Sequence, residues 1–179
     1  IRPCIILADE MGLGKTVQAV VAISSLFSAK AIRRVLILAP TSLIYNWRSE
    51  LHTWAPGLPV VLYQGSDRYG LLYGGARILI GTYETVASDL RKTSSGGQSF
   101  VDIGIDLLVL DEAQLIKDPN SVRSRIISKI LSGRRWALTG TPLENRPSEL
   151  ASILRFLHYN EFSEPKDIKN HSKILYHRD

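Results

Sequence analysis

The chain has 179 residues, 45% of them hydrophobic, which is enough for one globular domain with its own core and short for two. Its formal net charge of +5 is a modest excess whose distribution matters more than its size, and its single cysteine, Cys4, lies in an apolar run and excludes a disulfide framework. No stretch is apolar for long enough to cross a bilayer and nothing at the start reads as a signal, so an intracellular protein is expected, with no membrane and no disulfide partner.

In chain order, Cys4-Ile5-Ile6-Leu7 is a short apolar run fit for a buried strand, and Thr16 onward reads as a helix with apolar Val17, Val20, Val21 and Leu26. Between them lies LADEMGLGKT, close to the phosphate-loop pattern G-x-x-x-x-G-K-[ST] but with Asp9 where the first glycine belongs. Gly12 and Gly14 let backbone N–H groups converge on an anion, Lys15 can set its ammonium between phosphates, and Thr16 can offer a hydroxyl to Mg²⁺. The first glycine only helps open the turn, so Asp9 alters the loop's shape more than its charge logic. The alternative is an ordinary glycine turn with a chance lysine. The chain starts at Ile1, its only methionine is Met11 and the first strand is almost terminal, so a piece of a longer protein is expected.

Val35 to Ala39 is the next strand, and Leu43 to Trp54 a helix carrying Trp47, Leu51 and Trp54 at i, i+4 and i+7, a spacing that assigns these aromatics to the core. Further strands fit Val60 to Tyr63, Ile78 to Ile80, Leu107 to Leu110 and Trp136 to Leu138, and helices fit Glu84 to Leu90, Val122 to Leu131 and Ser148 to Leu157. Continuous rather than alternating apolar runs indicate strands covered on both faces, hence an α/β fold with a mostly parallel central sheet and helices on both faces. Lys92 to Ser99 reads as a surface loop. After His158 the apolar pattern weakens, so residues 1–158 form the expected domain, and Tyr159 to Asp179 begins an insertion or linker.

The decisive partner of the glycine loop is LLVLDEAQ, Leu107 to Gln114. An apolar strand delivering two consecutive carboxylates at its carboxyl end puts them where open parallel sheets bind ligands. Asp111 is then suited to hold Mg²⁺ and Glu112 to polarise the water that attacks a terminal phosphate. The alternative is that the pair caps the next helix.

Five segments taken together, LADEMGLGKTVQAV, VLILAPTSLIYNWRSEL, ILIGTYETV, LLVLDEAQLIKDPNS and RWALTGTPLENR, resemble in order and spacing motifs I, Ia, Ib, II and III of the SWI/SNF-related ATPases of helicase superfamily two. That family regularly carries DEMGLGKT, with the aspartate. The resemblance runs from Ile5 to about Phe156 and implies the first of two RecA-like P-loop lobes that clamp ATP and step along double-stranded DNA without separating its strands. It implies a site of Asp9, Met11, Gly12, Leu13, Gly14, Lys15 and Thr16 around ATP, with Lys15 on the phosphates. Thr16 and Asp111 would bind Mg²⁺, and Glu112 would be the catalytic base. Gln114, a variant of the commoner histidine associated with prokaryotic members, would connect the γ-phosphate region to Thr139, Gly140 and Thr141, which relay nucleotide state to DNA. TGT can equally be a satisfied strand-end turn before Pro142. The upstream adenine-reading motif and the second RecA-like lobe with its arginine fingers are missing from this sequence. The resemblance leaves the pathway open, so a translocase of restriction, phage defence or RNA-polymerase recycling remains a rival. So does a nucleotide-binding module that never hydrolyses, against which the intact Asp111-Glu112 pair argues. The compartment would be the cytoplasm, nucleoid or nucleus.

For DNA, APTSL offers unpaired backbone N–H groups between a strand end and a helix start, so Pro40, Thr41 and Ser42 are candidate phosphate contacts, Ser42 also a candidate helix cap. Thr82 and Tyr83 follow another strand end and match motif Ib, though Tyr83 could instead be packing. Between Pro119 and Leu143 there is no acidic residue, while Arg123, Arg125, Lys129, Arg134 and Arg135 add five positive charges. On a helix with Val122, Ile126, Ile127, Ile130 and Leu131 toward the core, Arg123, Arg125 and Lys129 would form a basic outer face.

Overall fold

The computed structural model describes residues 4–10, 12–93, 100, 103–140 and 147–157. Its strands are β1 (Cys4–Leu7), β2 (Val35–Ala39), β3 (Val60–Leu62), β4 (Ile78–Thr82), β5 (Ile105–Leu110) and β6 (Ser132–Leu138). They pair in the order β1-β6-β5-β2-β4-β3, each with its neighbours in parallel. The helices are α1 (Lys15–Ser28), α2 (Ile44–Trp54), α3 (Arg68–Leu71), α4 (Tyr83–Thr93), α5 (Val122–Ile127) and α6 (Pro147–Leu157), with a 3-10 turn at Ala113–Ile116.

Side chains alternate across a strand, so each central strand feeds two cores. Leu36 and Leu38 of β2 join Leu108 and Leu110 of β5 under α4, α5 and α6, where Val86, Ile127 and Phe156 close the layer. Val35, Ile37 and Ala39 face the other way with Leu107 and Val109, under Val20 and Ile23 of α1 and Trp47 and Leu51 of α2. Both faces are covered, as the unbroken apolar runs require. Loops at the carboxyl ends of β1, β6, β5, β2 and β4 therefore share one edge, and β6 brings its end between those of β1 and β5.

Several sequence expectations need correction. Trp54 is 52% exposed, and its Nε1 donates to Glu50 Oε2 on its own helix at 3.0 Å; it closes α2 and is not core. Ile5 is 43% exposed on the edge strand β1. The expected helix Val122 to Leu131 stops at Ile127, and Val122 and Leu131 are exposed at 57% and 63%. After it the chain tightens, Lys129 N donating to Ile126 O and Ile130 N to Ile127 O. Arg135, reaching across from β6, donates to the carbonyls of Ile130 at 2.8 Å and Phe156 at 2.7 Å and is 7% exposed. It stacks over the Phe156 ring, with 5.1 Å to the centroid. The basic face thereby shrinks: Arg135 is an internal tie, Arg134 Nη1 donates to the carbonyl of Ala31, and Arg123 pairs with Glu84 Oε1 at 2.7 Å. β6 also begins four residues before the apolar run, because Ser132 and Arg134 keep register with Ile105 and Leu107 of β5 whatever their side chains. Met11, Thr141, most of the Lys92 to Ser99 loop and Tyr159 to Asp179 lie outside the described residues.

Candidate functional site

β1 ends at Leu7 and the chain turns into α1 through two glycines with positive φ, Gly12 at 89° and Gly14 at 71°. A side chain there would strain the backbone although a Cβ would meet no atom within 4 Å, so the loop keeps both the rare conformation and open room above it. Gly14 is the N-cap of α1, with no side-chain cap and no acidic residue in the first turn. The helix thus presents unpaired N–H groups and a positive dipole end to that room, which fits a phosphate chain. Lys15 Nζ donates back to the carbonyls of Asp9 at 2.7 Å and Glu10 at 2.8 Å. Asp9 Oδ2 accepts from Gln18 Nε2 at 3.2 Å, and Gln18 also holds the carbonyl of Leu13 at 3.0 Å. At the position where a glycine is usual, Asp9 pins the loop to the first turn of the helix through Gln18, which the sequence reading missed. Leu13 is exposed and Thr16 half-buried at the mouth.

Across the edge, β5 is followed directly by Asp111, 6% exposed. Its Oδ2 accepts from Trp47 Nε1 at 2.7 Å and its Oδ1 from the Glu112 N–H at 3.0 Å. Burial pushes the Asp111 carboxyl above its ordinary range. The Trp47 hydrogen bond opposes this, the Glu112 charge adds to it, and the Glu112 N–H and the Lys15 ammonium also oppose it. Each oxygen has one donor, and lone pairs remain for a cation. Glu112 adopts φ 51°, a conformation that L side chains rarely take and that turns the chain out of the strand at the carboxylate.

Glu112 Oε2 accepts from Gln114 Nε2, and Gln114 Oε1 accepts from Thr139 Oγ1 at 3.0 Å. Thr139, just past β6, donates its own N–H to Leu7 O at 3.0 Å, which bridges to the strand before the glycine loop. A chain of side chains thus runs from Glu112 to the segment between β5 and β1, with Gly140 half-buried beside it. One hydrogen bond, from Thr139 Oγ1, joins Gln114 to this segment, and a second joins Gln114 to Glu112.

The candidate DNA residues divide. Thr41 and Ser42 are exposed and Pro40 half-buried. The N-cap of α2 is Leu43 with no side-chain hydrogen bond, so Ser42 does not cap it. Thr82 Oγ1 accepts from the Thr85 N–H at 3.1 Å, bonding across the first turn of α4. Tyr83 is 0% exposed and its hydroxyl donates to the Asp111 carbonyl at 2.7 Å; burial, then the charge of Asp111, raises its pKa well above the ordinary tyrosine value. Its side chain has no surface for DNA, and the packing alternative holds. A separate concavity of about 320 Å³ between α5 and α6, lined in part by Arg125, Lys129 and Arg155, includes none of these residues.

Residues 2–177 match the SNF2-related domain. The chain belongs to that family. As an SNF2-related domain it is 39% identical over 160 residues to the ATP-dependent helicase BRM of Arabidopsis thaliana, covering 85% of this chain and 7% of that protein. With YwqA of Bacillus subtilis (strain 168) it shares 38% over 157 residues, 84% of this chain and 16% of the relative. The SWI2/SNF2 ATPase core of Sulfolobus solfataricus in complex with dsDNA superposes with a TM-score of 0.78 at 30% identity, over 98% of this chain and 36% of that one. The fold is accordingly the RecA-like one of that core, and the chain spans a small part of the proteins it resembles. Among the described residues, no helix is long and apolar enough to cross a membrane.

Proposed function

We propose that this SNF2-related domain binds ATP with Mg²⁺ and hydrolyses it as the first lobe of a motor that tracks along double-stranded DNA, a second RecA-like lobe of the same protein closing over the nucleotide. The observation that carries the reading is the chain Glu112–Gln114–Thr139, which ties the candidate base to the strand end between the two halves of the site. A nucleotide-binding module with no turnover has no use for such a tie.

Thr16 and Asp111 would hold Mg²⁺, which supplies charge neutralisation at the phosphates. Asp111, largely withdrawn from water, gains more from a cation than a solvated carboxylate does. Lys15 exchanges the carbonyls of Asp9 and Glu10 for phosphate oxygens, trading neutral acceptors for charged ones. Glu112 has Oε2 engaged by Gln114, so Oε1 is left to take the proton of the attacking water. Thr41 and Ser42, before the uncapped start of α2, and Thr82 at the end of β4 are the proposed contacts to sugar and phosphate. Such binding is salt-sensitive and largely independent of base sequence. A motor of this kind works inside the cell, where duplex DNA is.

The test is turnover of ATP by the full-length protein with and without duplex DNA, beside residues 1–179 alone. Strong stimulation is expected for the first and little turnover for the second, because an arginine finger from the other lobe is worth roughly 10³ to 10⁵ in rate. Equal DNA-stimulated turnover by the fragment overturns the two-lobe reading.

A further inference from the structure

Two buried aromatic side chains converge on one residue. Trp47 Nε1 donates to Asp111 Oδ2 and Tyr83 Oη to the Asp111 carbonyl, each at 2.7 Å, and both rings are 0% exposed. Burial alone does not force such bonds. Trp136 Nε1 is buried with no partner, and Trp54 Nε1 takes a carboxylate on its own exposed face.

The elements that carry the two rings are those that begin at the proposed DNA contacts. Trp47 lies in the first turn of α2, its N–H on the Leu43 carbonyl at 2.9 Å, and Leu43 directly follows Thr41 and Ser42. Tyr83 directly follows Thr82 and opens α4. Close-packed interiors transmit displacement instead of absorbing it. A shift of either loop on seating a phosphate therefore moves a group bonded to Asp111. Trp47 acts on the carboxylate itself and, with the Glu112 N–H on the other oxygen, sets the plane of that group; Tyr83 acts on the backbone that carries it.

We infer that Trp47 and Tyr83 are positioning residues that couple the DNA-facing loops at 40–43 and 82 to the orientation of Asp111, along a path separate from Glu112–Gln114–Thr139. The inference rests on the motor reading above and adds to it a second line of communication, which ends on the magnesium-holding carboxylate instead of on the base.

The experiment uses the full-length protein and four variants: Trp47→Phe, Tyr83→Phe, Trp54→Phe and Trp47→Phe with Gln114→Ala. Three quantities are read: the half-saturating Mg²⁺ concentration for turnover, the ratio of DNA-stimulated to basal rate, and the thermal midpoint. Trp47→Phe keeps a ring of similar bulk and removes a donor to a charged acceptor, so about a tenfold rise in half-saturating Mg²⁺ and about a tenfold fall in stimulation are expected. Tyr83→Phe, which releases a backbone carbonyl, lowers stimulation about fivefold and leaves the Mg²⁺ requirement near parental. Trp54→Phe, on the same helix with the same kind of bond at the surface, keeps all three readouts. In the double variant the losses of stimulation multiply, as for independent paths.

Parental Mg²⁺ dependence and stimulation in Trp47→Phe overturn the inference while leaving the motor intact. So does a loss of stimulation matched by an equal loss of basal rate and a fallen thermal midpoint, which is general destabilisation. If Trp47→Phe does not fold, a folded Tyr83→Phe with full stimulation overturns it instead. Absence of DNA-stimulated turnover in the unsubstituted protein is the distinct result that removes the motor reading, and this inference with it.

Discussion

Replacing Gln114 by alanine removes two bonds at once, the donation to Glu112 Oε2 and the acceptance from Thr139 Oγ1 at 3.0 Å. A hydrogen bond to a charged group contributes about 1.5 to 3 kcal/mol and a neutral one about 0.5 to 1.5 kcal/mol. Gln114 is half-buried, so water recovers part of that sum, and about 1 to 3 kcal/mol is left to fall on the coupling between nucleotide and DNA. As a coupling free energy this is a loss of roughly 5- to 150-fold in DNA stimulation. The chemistry is spared, since Glu112 keeps its carboxylate and Asp111 keeps its own donors. The assay is steady-state ATP turnover of the full-length protein, with and without saturating duplex DNA, beside equilibrium nucleotide binding. Binding and basal rate are expected within a few-fold of parental, and stimulation is expected to collapse. Thr139→Val cuts the same chain at its other end, so combining it with Gln114→Ala costs little more than either alone. A carboxamide does not titrate, so the loss is expected to be the same across neutral pH, unlike that of a histidine in this position. Full DNA stimulation in Gln114→Ala refutes the reasoning and reduces Gln114 to a residue that merely sits in a 3-10 turn.

In the full-length protein, Lys15→Ala is expected to weaken ATP binding, whereas Glu112→Gln keeps binding and abolishes turnover, because the lysine meets phosphate in ground and transition states and the glutamate acts on water; equal loss of binding in both, by titration, assigns Glu112 a structural role. A stability prediction concerns Asp89, which is 1% exposed and accepts from Arg68 Nε at 2.6 Å and Nη2 at 2.7 Å, Tyr69 at 2.9 Å and Tyr63 at 3.0 Å. Burial pushes its carboxyl up, but the bonds from Arg68, Tyr69 and Tyr63 outweigh this and hold it below the ordinary range. A depressed carboxylate contributes stability that is fully present above the unfolded-state pKa of about 3.9 and is lost as pH falls through the lower folded value. Asp89→Asn is expected to cost about 3 kcal/mol at neutral pH, the low end for a broken buried pair because Arg68 keeps some access to water, and to flatten the acid limb of the denaturation midpoint below about pH 5, where the parental carboxylate begins to lose its contribution. An unchanged acid limb assigns that limb to other carboxylates.

The nucleotide side of this domain was legible in the sequence because its chemistry is local. A strand, a glycine turn and a helix with Lys15 and Thr16 at its start form one contiguous segment, and Gly12 and Gly14 carry their backbone requirement in their identity. The Asp111-Glu112 pair follows an apolar strand in the same direct way. Contiguity also explains why Val35–Ala39 matched its strand and why both sheet faces were expected to be covered. What tertiary structure alone decided is which distant side chains meet. Trp47 and Trp54 share a helical stripe, yet one is buried on Asp111 and the other is exposed at the end of α2, because periodicity gives the side of a helix and not how much of that side is covered. Tyr83 follows Thr82 at a strand end but points into the core at the Asp111 carbonyl. Arg135 reads as surface charge until β6 sets it beside the carbonyls of Ile130 and Phe156, where a guanidinium's several donors can tie two chain segments at once. The insertion of β6 between β1 and β5 has no local signal either. Strand order is settled by the packing of all helices together, and it is strand order that brings Thr139 to Gln114 and turns two separate motifs into one connected site.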